Sequence, residues 1–232
     1  RRKELGDFKA EKGLSTHDDY TEVVGKLEKK KVRTNSFDVA IILINYNSSE
    51  YTIKCIDSIK STITNKLRYN ILVIDNASES TDFHRLKDNI SDIYTDDTVQ
   101  LYRSKINLGF SAGNMMGVQN IDADYYFLLN NDCVLQNDCI GILHRFCENN
   151  KHVALCSPQL FDMNNNPIPC INYFPTLKTK VFGSGILNLS HNNNRIRRKE
   201  KYSNPVQVDV VSGSQMFVRA EYFFEIGGLD TI

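Results

Sequence analysis

The chain has 232 residues, with 28 Lys+Arg against 28 Asp+Glu, and it is 41% apolar with no tryptophan. That length fits one large domain or a domain with an extension, and the apolar fraction excludes global disorder. Zero formal charge argues against a general nucleic-acid binder, which needs a basic surplus. The longest apolar run, residues 39–44, is far short of the roughly 20 residues that span a bilayer. No stretch combines a charged start, an apolar middle and a small-residue cleavage site, so the sequence predicts no secretory leader. Its six cysteines form no C-x-x-C pair and sit mostly in apolar-periodic stretches, as buried thiols of a reduced intracellular protein would. The five histidines are scattered away from them, which argues against zinc.

Residues 1–36 hold ten Lys/Arg against seven Asp/Glu with only isolated apolar positions, and read as a charged N-terminal extension or linker. Segment 22–31 can form a short charged helix. A membrane- or partner-binding arm is the competing reading, weakened by the interleaved acids. From Phe37 onward a different pattern begins, and residues 37–232 read as one domain. Residues 38–45 form a near-continuous β-branched run, the mark of a strand covered on both faces. Residues 49–64 carry Ile53, Ile56, Ile59 and Ile63 at helical spacing. Then come a buried strand at 69–75, a helix at 81–90, a strand at 99–103, a helix at 111–120 and a strand at 125–129. Residues 138–149 predict a helix with Asp138 as N-cap and Ile142, Leu143 and Phe146 facing inward. A strand follows at 153–157. This alternation predicts an α/β fold, a mainly parallel sheet with helices on both faces.

After Pro158 the alternation breaks. Asn-rich turns at 163–167 and 191–195 and a basic cluster at 195–201 predict a loop or hairpin insertion. The cluster reads as a solvated loop before it reads as a guide for an anionic surface. Strands are predicted at 206–211 and 215–219, around Ser212-Gly213-Ser214, and a short helix at 221–226. The aromatic residues Phe217, Tyr222, Phe223 and Phe224 read as core, and His84 and His144 as surface residues.

Ligands of open α/β sheets bind outside the carboxyl ends of the strands. Here four consecutive strand tips are polar: Asn45-Tyr46-Asn47-Ser48, Asp75-Asn76-Ala77-Ser78, residues 107–114, and Asn130-Asn131-Asp132. Each alone is more often a cap or turn; four in succession point to a ligand. Tyr46 can stack on a base while amides pair with its edge. Asp75 can accept a base N–H or a ribose hydroxyl. The Gly109/Gly113 loop opens a helix and can bring backbone N–H groups to an anion. It lacks the lysine and spacing of a P-loop, and no G-x-G-x-x-G follows the first strand. Asp132 and Asn130 offer hard oxygen ligands to Mg²⁺ or Mn²⁺, leaving phosphates and water to complete the shell. These tips suggest a nucleotide with a metal.

The same residues carry a family resemblance. IILINYNS at 41–48, ILVIDNAS at 71–78, NLGFSAGNMMG at 107–117, YYFLLNND at 125–132 and VVSGSQMFVRAEYFFEIGGLD at 210–230 occur in order. Over about residues 38–232 the chain resembles the family 2 glycosyltransferases, inverting enzymes of the GT-A fold, and especially their rhamnosyltransferase-like members. The resemblance implies that Asn45, Tyr46, Asn47 and Asp75 line the base and ribose pocket. Asn107, Gly109, Phe110, Gly113 and Asn114 would form the loop by the ribose and diphosphate. Asn130 and Asp132 would match the D-x-D position, Asp132 being the direct metal ligand. Asn131, Ser212, Gly213 and Ser214 would border the sugar and acceptor cleft. Two positions depart from the family pattern: Met115 stands where relatives often have a second asparagine, and Asn130 replaces the first aspartate of D-x-D.

The implied reaction is sugar transfer from a UDP- or dTDP-linked donor to an acceptor hydroxyl with inversion, assisted by Mg²⁺ or Mn²⁺ and a carboxylate general base. Relatives carry that base a few residues beyond a GGLD run, here 227–230, so it is expected beyond Ile232 and the GT-A fold is expected to be truncated at its C-terminus. A glycan or lipid-linked acceptor, bacterial surface polysaccharide synthesis, and a cytoplasmic site with peripheral association at the inner membrane face are implied in the same way. Nucleic acid is not an expected partner. Two alternatives stand beside this reading: a nucleotidyltransferase, though residues 45–50 lack the glycine and basic residue of its first loop, and a non-catalytic nucleotide- or glycan-binding module.

Overall fold

The computed structural model describes residues 37–64, 67–174 and 196–231, all within the unit Ser36–Ile232. The expected charged extension, with its helix at 22–31, and the turn at 191–195 lie outside the described residues. Four strands and the helices between them come first: β1 (Phe37–Asn45), α1 (Ser49–Thr62), β2 (Tyr69–Asn76), α2 (Ser80–Ile93), β3 (Val99–Ser104), α3 (Gly109–Asn120), β4 (Ala123–Asn130) and α4 (Cys139–Asn149). Short strands follow: β5 (Leu155–Cys156), β6 (Leu160–Phe161), β7 (Pro167–Ile168), β8 (Ile171–Asn172) and β9 (Val210–Val211). Strand β10 (Gln215–Arg219) and helix α5 (Ala220–Glu225) complete the order.

The central sheet runs β3-β2-β1-β4-β10-β5. Strands β3, β2, β1 and β4 are parallel, and β10 pairs antiparallel with both β4 and β5. Strand alternation sorts the core into two layers. Val39, Ile41 and Leu43 of β1, with Ile71, Val73, Phe127 and Phe217, pack under α1, α2 and α4. Ala40 and Ile42, with Leu72, Ile74, Tyr126 and Leu128, pack under α3 and α5. Residues 39–43 and 71–74 are wholly buried, which explains why their sequence is apolar without alternation. Each such side chain contributes about 1.5–3 kcal/mol by leaving water.

Three expectations are corrected. Asp138 does cap α4, accepting from the Gly141 N–H at 3.0 Å, but Ile142 does not face inward and is 49% exposed. Ile140, Leu143 and Cys147 face the sheet, and Phe146 is half-buried at its edge. With the cap at 138, position 142 lies roughly 200° around the helix from 140. The strand expected at 206–211 is only Val210–Val211, because its partner β8 is two residues long, Ile171 facing Val211 and Asn172 facing Val210. The strand expected at 153–157 is likewise Leu155–Cys156. The insertion does form a hairpin, β6 pairing with β7 around residues 162–166, where Asp162 accepts from the Asn164 and Asn166 N–H groups.

Helix α3 lies close on β1 through two glycines. A Cβ on Gly117 would sit 2.5 Å from Ile42 Cγ2, a stiff branch of a wholly buried side chain. A Cβ on Gly113 would sit 3.2 Å from the terminal methyl of Ile44, which can turn aside. Alanine at a helix interior gains up to about 1 kcal/mol over glycine, while overpacking a core costs about 1–3 kcal/mol. Overpacking wins at Gly117 and roughly cancels at Gly113. Gly117→Ala is therefore expected to lower the melting temperature by several degrees and Gly113→Ala to leave it nearly unchanged, as read by paired thermal melts.

Candidate functional site

The register lines up the polar strand tips. Asn45 of β1 faces Asp75 of β2, which faces Arg103 of β3. All three continue the apolar rows beneath α1 and α2. Asn45 is wholly buried, and its amide joins four segments. Its Nδ2 has Asp75 Oδ1, Ser78 Oγ and Asp82 Oδ2 each at 3.0 Å, three acceptors for two hydrogens. Its Oδ1 accepts from Thr52 Oγ1 at 2.8 Å and Ser48 Oγ at 3.4 Å. Asn45 thus spends its hydrogen-bonding groups inside the chain and positions the loops around it, rather than presenting an edge to a ligand.

Asp75 is also wholly buried. One oxygen takes Asn45; the other takes the Ser78 N–H at 3.3 Å and Arg103 Nε at 3.2 Å. Arg103 extends across the tip of β2, donating to the Ser78 carbonyl at 2.8 Å and stacking over Phe83 at 3.9 Å. Beside it opens a cleft of about 570 Å³ lined by Ala77, Ser78, Arg103, Ser104 and Lys105. A second of about 320 Å³, lined by Phe83, Lys87, Ile90, Ser91, Leu101 and Arg103, shares the same guanidinium. Neither is lined by Asp132. Tyr46 lines neither cleft and is 51% exposed. Asn47 and Ala77 both have positive φ, 51° and 65°. They hold the two tips together, Asn47 N–H donating to Ser78 Oγ at 2.9 Å and Asn47 Oδ1 accepting from Glu79 N–H at 2.7 Å. Strain of about 1 kcal/mol or more per such residue accumulates where a loop must keep one shape.

Asp82 closes this network from α2. It accepts from the Ser49 N–H at 3.0 Å and Ser49 Oγ at 2.7 Å, capping α1, whose own Ser48 makes no side-chain cap. Burial pushes its pKa up, but the Asn45 and Ser49 hydrogen bonds and the Arg85 charge outweigh that, leaving it below the ordinary carboxylate value.

The loop before α3 hangs from the opposite face of the sheet. Buried Asn76 donates to Asn107 Oδ1 at 2.9 Å and accepts from the Leu108 N–H at 2.8 Å. Asn107 in turn accepts from the Gly109 N–H at 2.8 Å, and Gly109 has φ +72°. Gly113 and Asn114 lie inside α3 rather than in its loop. Gly113 packs on Ile44, and buried Asn114 donates to the Phe110 carbonyl at 2.9 Å. Phe110 is 43% exposed and lies against Gly213. The side chain of Met115 turns away to the Gly228 and Leu229 backbone.

At the tip of β4, the Asn130 N–H donates to the Ser214 carbonyl at 2.8 Å. Asn131 reaches back to Ser48 Oγ and Thr52 Oγ1, at 2.8 and 2.7 Å. Ser212 and Ser214 share a hydroxyl contact at 2.9 Å. Asp132 is exposed, with only the Cys133 thiol 4.0 Å away. Among the described residues no three His, Cys, Asp or Glu side chains group as metal ligands. At this tip the described residues therefore offer a divalent cation the Asp132 carboxylate with an amide two residues before it. That donor set suits a hard ion completed by phosphate oxygens and water.

The structure thus brings Asn45, Tyr46, Asn47, Asp75, Asn107, Gly109, Phe110, Asn130, Asn131, Asp132 and Ser212–Ser214 to one end of the sheet. Sequence reasoning placed Asn76 and Ser78 at a polar tip without giving them a role, and missed Asp82 and Arg103. Arg103 was findable, since it ends β3 in the row of Asn45 and Asp75. Asp82 was not, because an acid in a helix's first turn is commonplace.

Known proteins complete the description. The family model described as glycosyl transferase family 2 matches residues 40–227. No curated protein matches the chain by sequence. Among solved structures, a mannosyltransferase of Pyrobaculum calidifontis in complex with GDP-Man and Mn²⁺ is similar at TM-score 0.53 and 13% identity. The match covers 92% of this chain and 54% of that one. Staphylococcus aureus TarS 1–349 matches at TM-score 0.48 and 13% identity, over 60% of this chain and 40% of that one. The chain thus spans about half the length of these structures or less. At such identity the likeness to the mannosyltransferase shows the fold alone, that of GT-A glycosyltransferases.

Two outcomes test the network. Asn45→Ala strands Thr52 and two carboxylates, and is expected to cost at least about 2 kcal/mol in chemical denaturation. Because the folded pKa of Asp82 is depressed, its stabilisation is present above the unfolded value near 3.9 and is lost as pH falls through the folded value. The stability gap between the parent chain and Asp82→Asn is expected to narrow as melts are taken from about pH 6 down to about pH 3.

Proposed function

This chain belongs to glycosyl transferase family 2, and from that premise we propose that it moves a sugar from a nucleoside-diphosphate sugar, UDP- or dTDP-linked, to an acceptor hydroxyl with inversion. The observation that carries the reading is the division of one sheet end into two parts. A cleft is lined by Arg103, itself paired with a buried carboxylate, and an exposed carboxylate, Asp132, stands at the tip of β4.

The nucleoside occupies the first part. Tyr46 covers the base, and Arg103, held in place by the buried Asp75, supplies a donor to its polar edge. Asn45, Asn47 and Ser78 hold those groups in place. The loop from Asn107 to Phe110 flanks the ribose and diphosphate, its shape fixed by Asn76. Asp132, with Asn130, holds Mg²⁺ or Mn²⁺, which when bound neutralises charge on the departing diphosphate. The sugar lies between Asn131 and the Ser212–Ser214 hydroxyls, where the acceptor hydroxyl attacks from the face opposite the leaving diphosphate. A glycan or lipid-linked acceptor, in bacterial surface polysaccharide synthesis at the inner membrane face, is the setting this implies. No described helix is long and apolar enough to cross a membrane. The functional domain begins near Phe37, where the β1 run starts.

Calorimetric titration with UDP, dTDP and GDP, each with and without Mn²⁺, tests this. Binding of one diphosphate that requires the metal and weakens at least tenfold, about 1.4 kcal/mol, in Asp132→Ala is the expected result. The variant should melt with the parent, since Asp132 is exposed. Absence of binding by all three diphosphates with metal present, in a folded protein, overturns the proposal.

A further inference from the structure

All six cysteines are free thiols, yet two of them touch. Cys147 Sγ in the last turn of α4 lies 3.4 Å from Cys156 Sγ in β5. Nine positions separate them, and the backbone turns back between, with the Val153 N–H on the Asn150 carbonyl at 2.9 Å. Both ends of this turn are anchored. Cys147 is buried on the sheet side of α4, and β5 is held to β10 by the pairs Phe217–Cys156 and Val218–Leu155. The Arg219 N–H adds a bond to the Ala154 carbonyl at 2.9 Å.

We propose that Cys147 and Cys156 form an intramolecular disulfide under mild oxidation, fastening the edge strand of the sheet to α4. The sulfurs already stand at contact distance and must close to a bond of about 2.05 Å. The electrons balance with a peroxide as oxidant. The Cys147 thiolate attacks one peroxide oxygen, giving a sulfenic acid and hydroxide. The Cys156 thiol attacks that sulfur, its proton leaves, and water is expelled as the S–S bond forms. The pair loses two electrons and one peroxide becomes two waters.

The surroundings select this pair. Arg219 donates to the Cys147 carbonyl at 2.7 Å and reaches Glu148 at 3.6 Å, so a cation lies beside the sulfur. The hydrogen bond from Cys156 holds the Cys147 thiol below its ordinary range against burial, with the Arg219 charge assisting. Burial pushes the Cys133 and Cys139 thiols up, to about 11 and about 12, so they remain protonated and slow to oxidise.

Treating the full chain with a molar excess of hydrogen peroxide, then alkylating and mapping peptides, tests the proposal independently of any transferase activity. The expected product has lost two alkylatable thiols and carries one 147–156 cross-link. It melts about 5–10 °C higher than the reduced chain, a gain that dithiothreitol reverses. Cys156→Ser is expected to lose that gain and leave Cys147 as a sulfenic acid trapped by dimedone. The proposal is overturned if both cysteines stay alkylatable, if they oxidise separately to sulfinic acids, or if Cys156→Ser keeps the thermal gain.

Discussion

A buried amide must find its partners inside the fold, and at Asn45 that requirement organises the carboxyl end of the sheet. Its Nδ2 reaches Asp75 on β2, Ser78 in the loop beyond it and Asp82 on α2, and its Oδ1 takes Thr52 on α1. At zero exposure it has no water to turn to, so these segments must supply its partners. The two carboxylates would repel one another if left bare. Held on opposite sides of a donor, and with Arg103 and Arg85 beside them, they become the fixed points of the site. Tyr46 and Asn47 then project from a rigid base, which allows an exposed aromatic ring to keep its place.

The other face depends on an absence of side chain. Gly113 and Gly117 let α3 settle against Ile44 and Ile42 of β1. That close approach brings the Asn107–Phe110 loop within reach of Asn76, whose amide serves that face as Asn45 serves its own. Met115 occupies a position where relatives often carry an amide, and its sulfur instead meets the Leu229 N–H at 3.4 Å. The residue thereby exchanges a polar contact in the cleft for packing between α3 and the turn after α5, where Gly227 and Gly228 both have positive φ.

How much of this was legible depended on how the chain encodes each part. Strands β1 and β2 announce themselves because burial on two faces demands an unbroken apolar run. Strand tips were legible as polar breaks after such runs, and four of them marked the site before its geometry was known. Side-chain direction was harder. Ile142 looked inward even with Asp138 as the cap, but the buried face runs through Ile140, Leu143 and Cys147. Strand length at the far edge was also hidden: β9 is no longer than its two-residue partner β8, and β5 pairs with only Phe217 and Val218 of the five-residue β10. Arg103 and Asp82 were missed for a related reason: each acts across a register or helix contact that no single segment displays.

That row of residues also bears on the charge balance. Outside the first 36 residues the chain carries 18 basic against 21 acidic side chains, a mildly anionic body for an anionic ligand. Local placement outweighs the total. Asp75 is neutralised by Arg103 at 3.2 Å, and Asp82 lies within the field of Arg85. Asp38 and Asp96 pair with Arg68 and Lys60 at 2.7 and 2.6 Å. Lys105 and Lys87 line the clefts on either side of Arg103. Around Arg103 basic side chains therefore face the clefts, and the exposed carboxylate at Asp132 lies at the tip of β4, three strands from β3 in the sheet order. A ligand with an apolar-faced base at one end and a diphosphate at the other meets cations first and a carboxylate second. The carboxylate becomes favourable only with a divalent ion between them, since like charges a few ångströms apart repel strongly in a partly desolvated cleft. On the proposed reading, the separation of Arg103 from Asp132 would make metal dependence follow from where the charges stand, and not from how many there are.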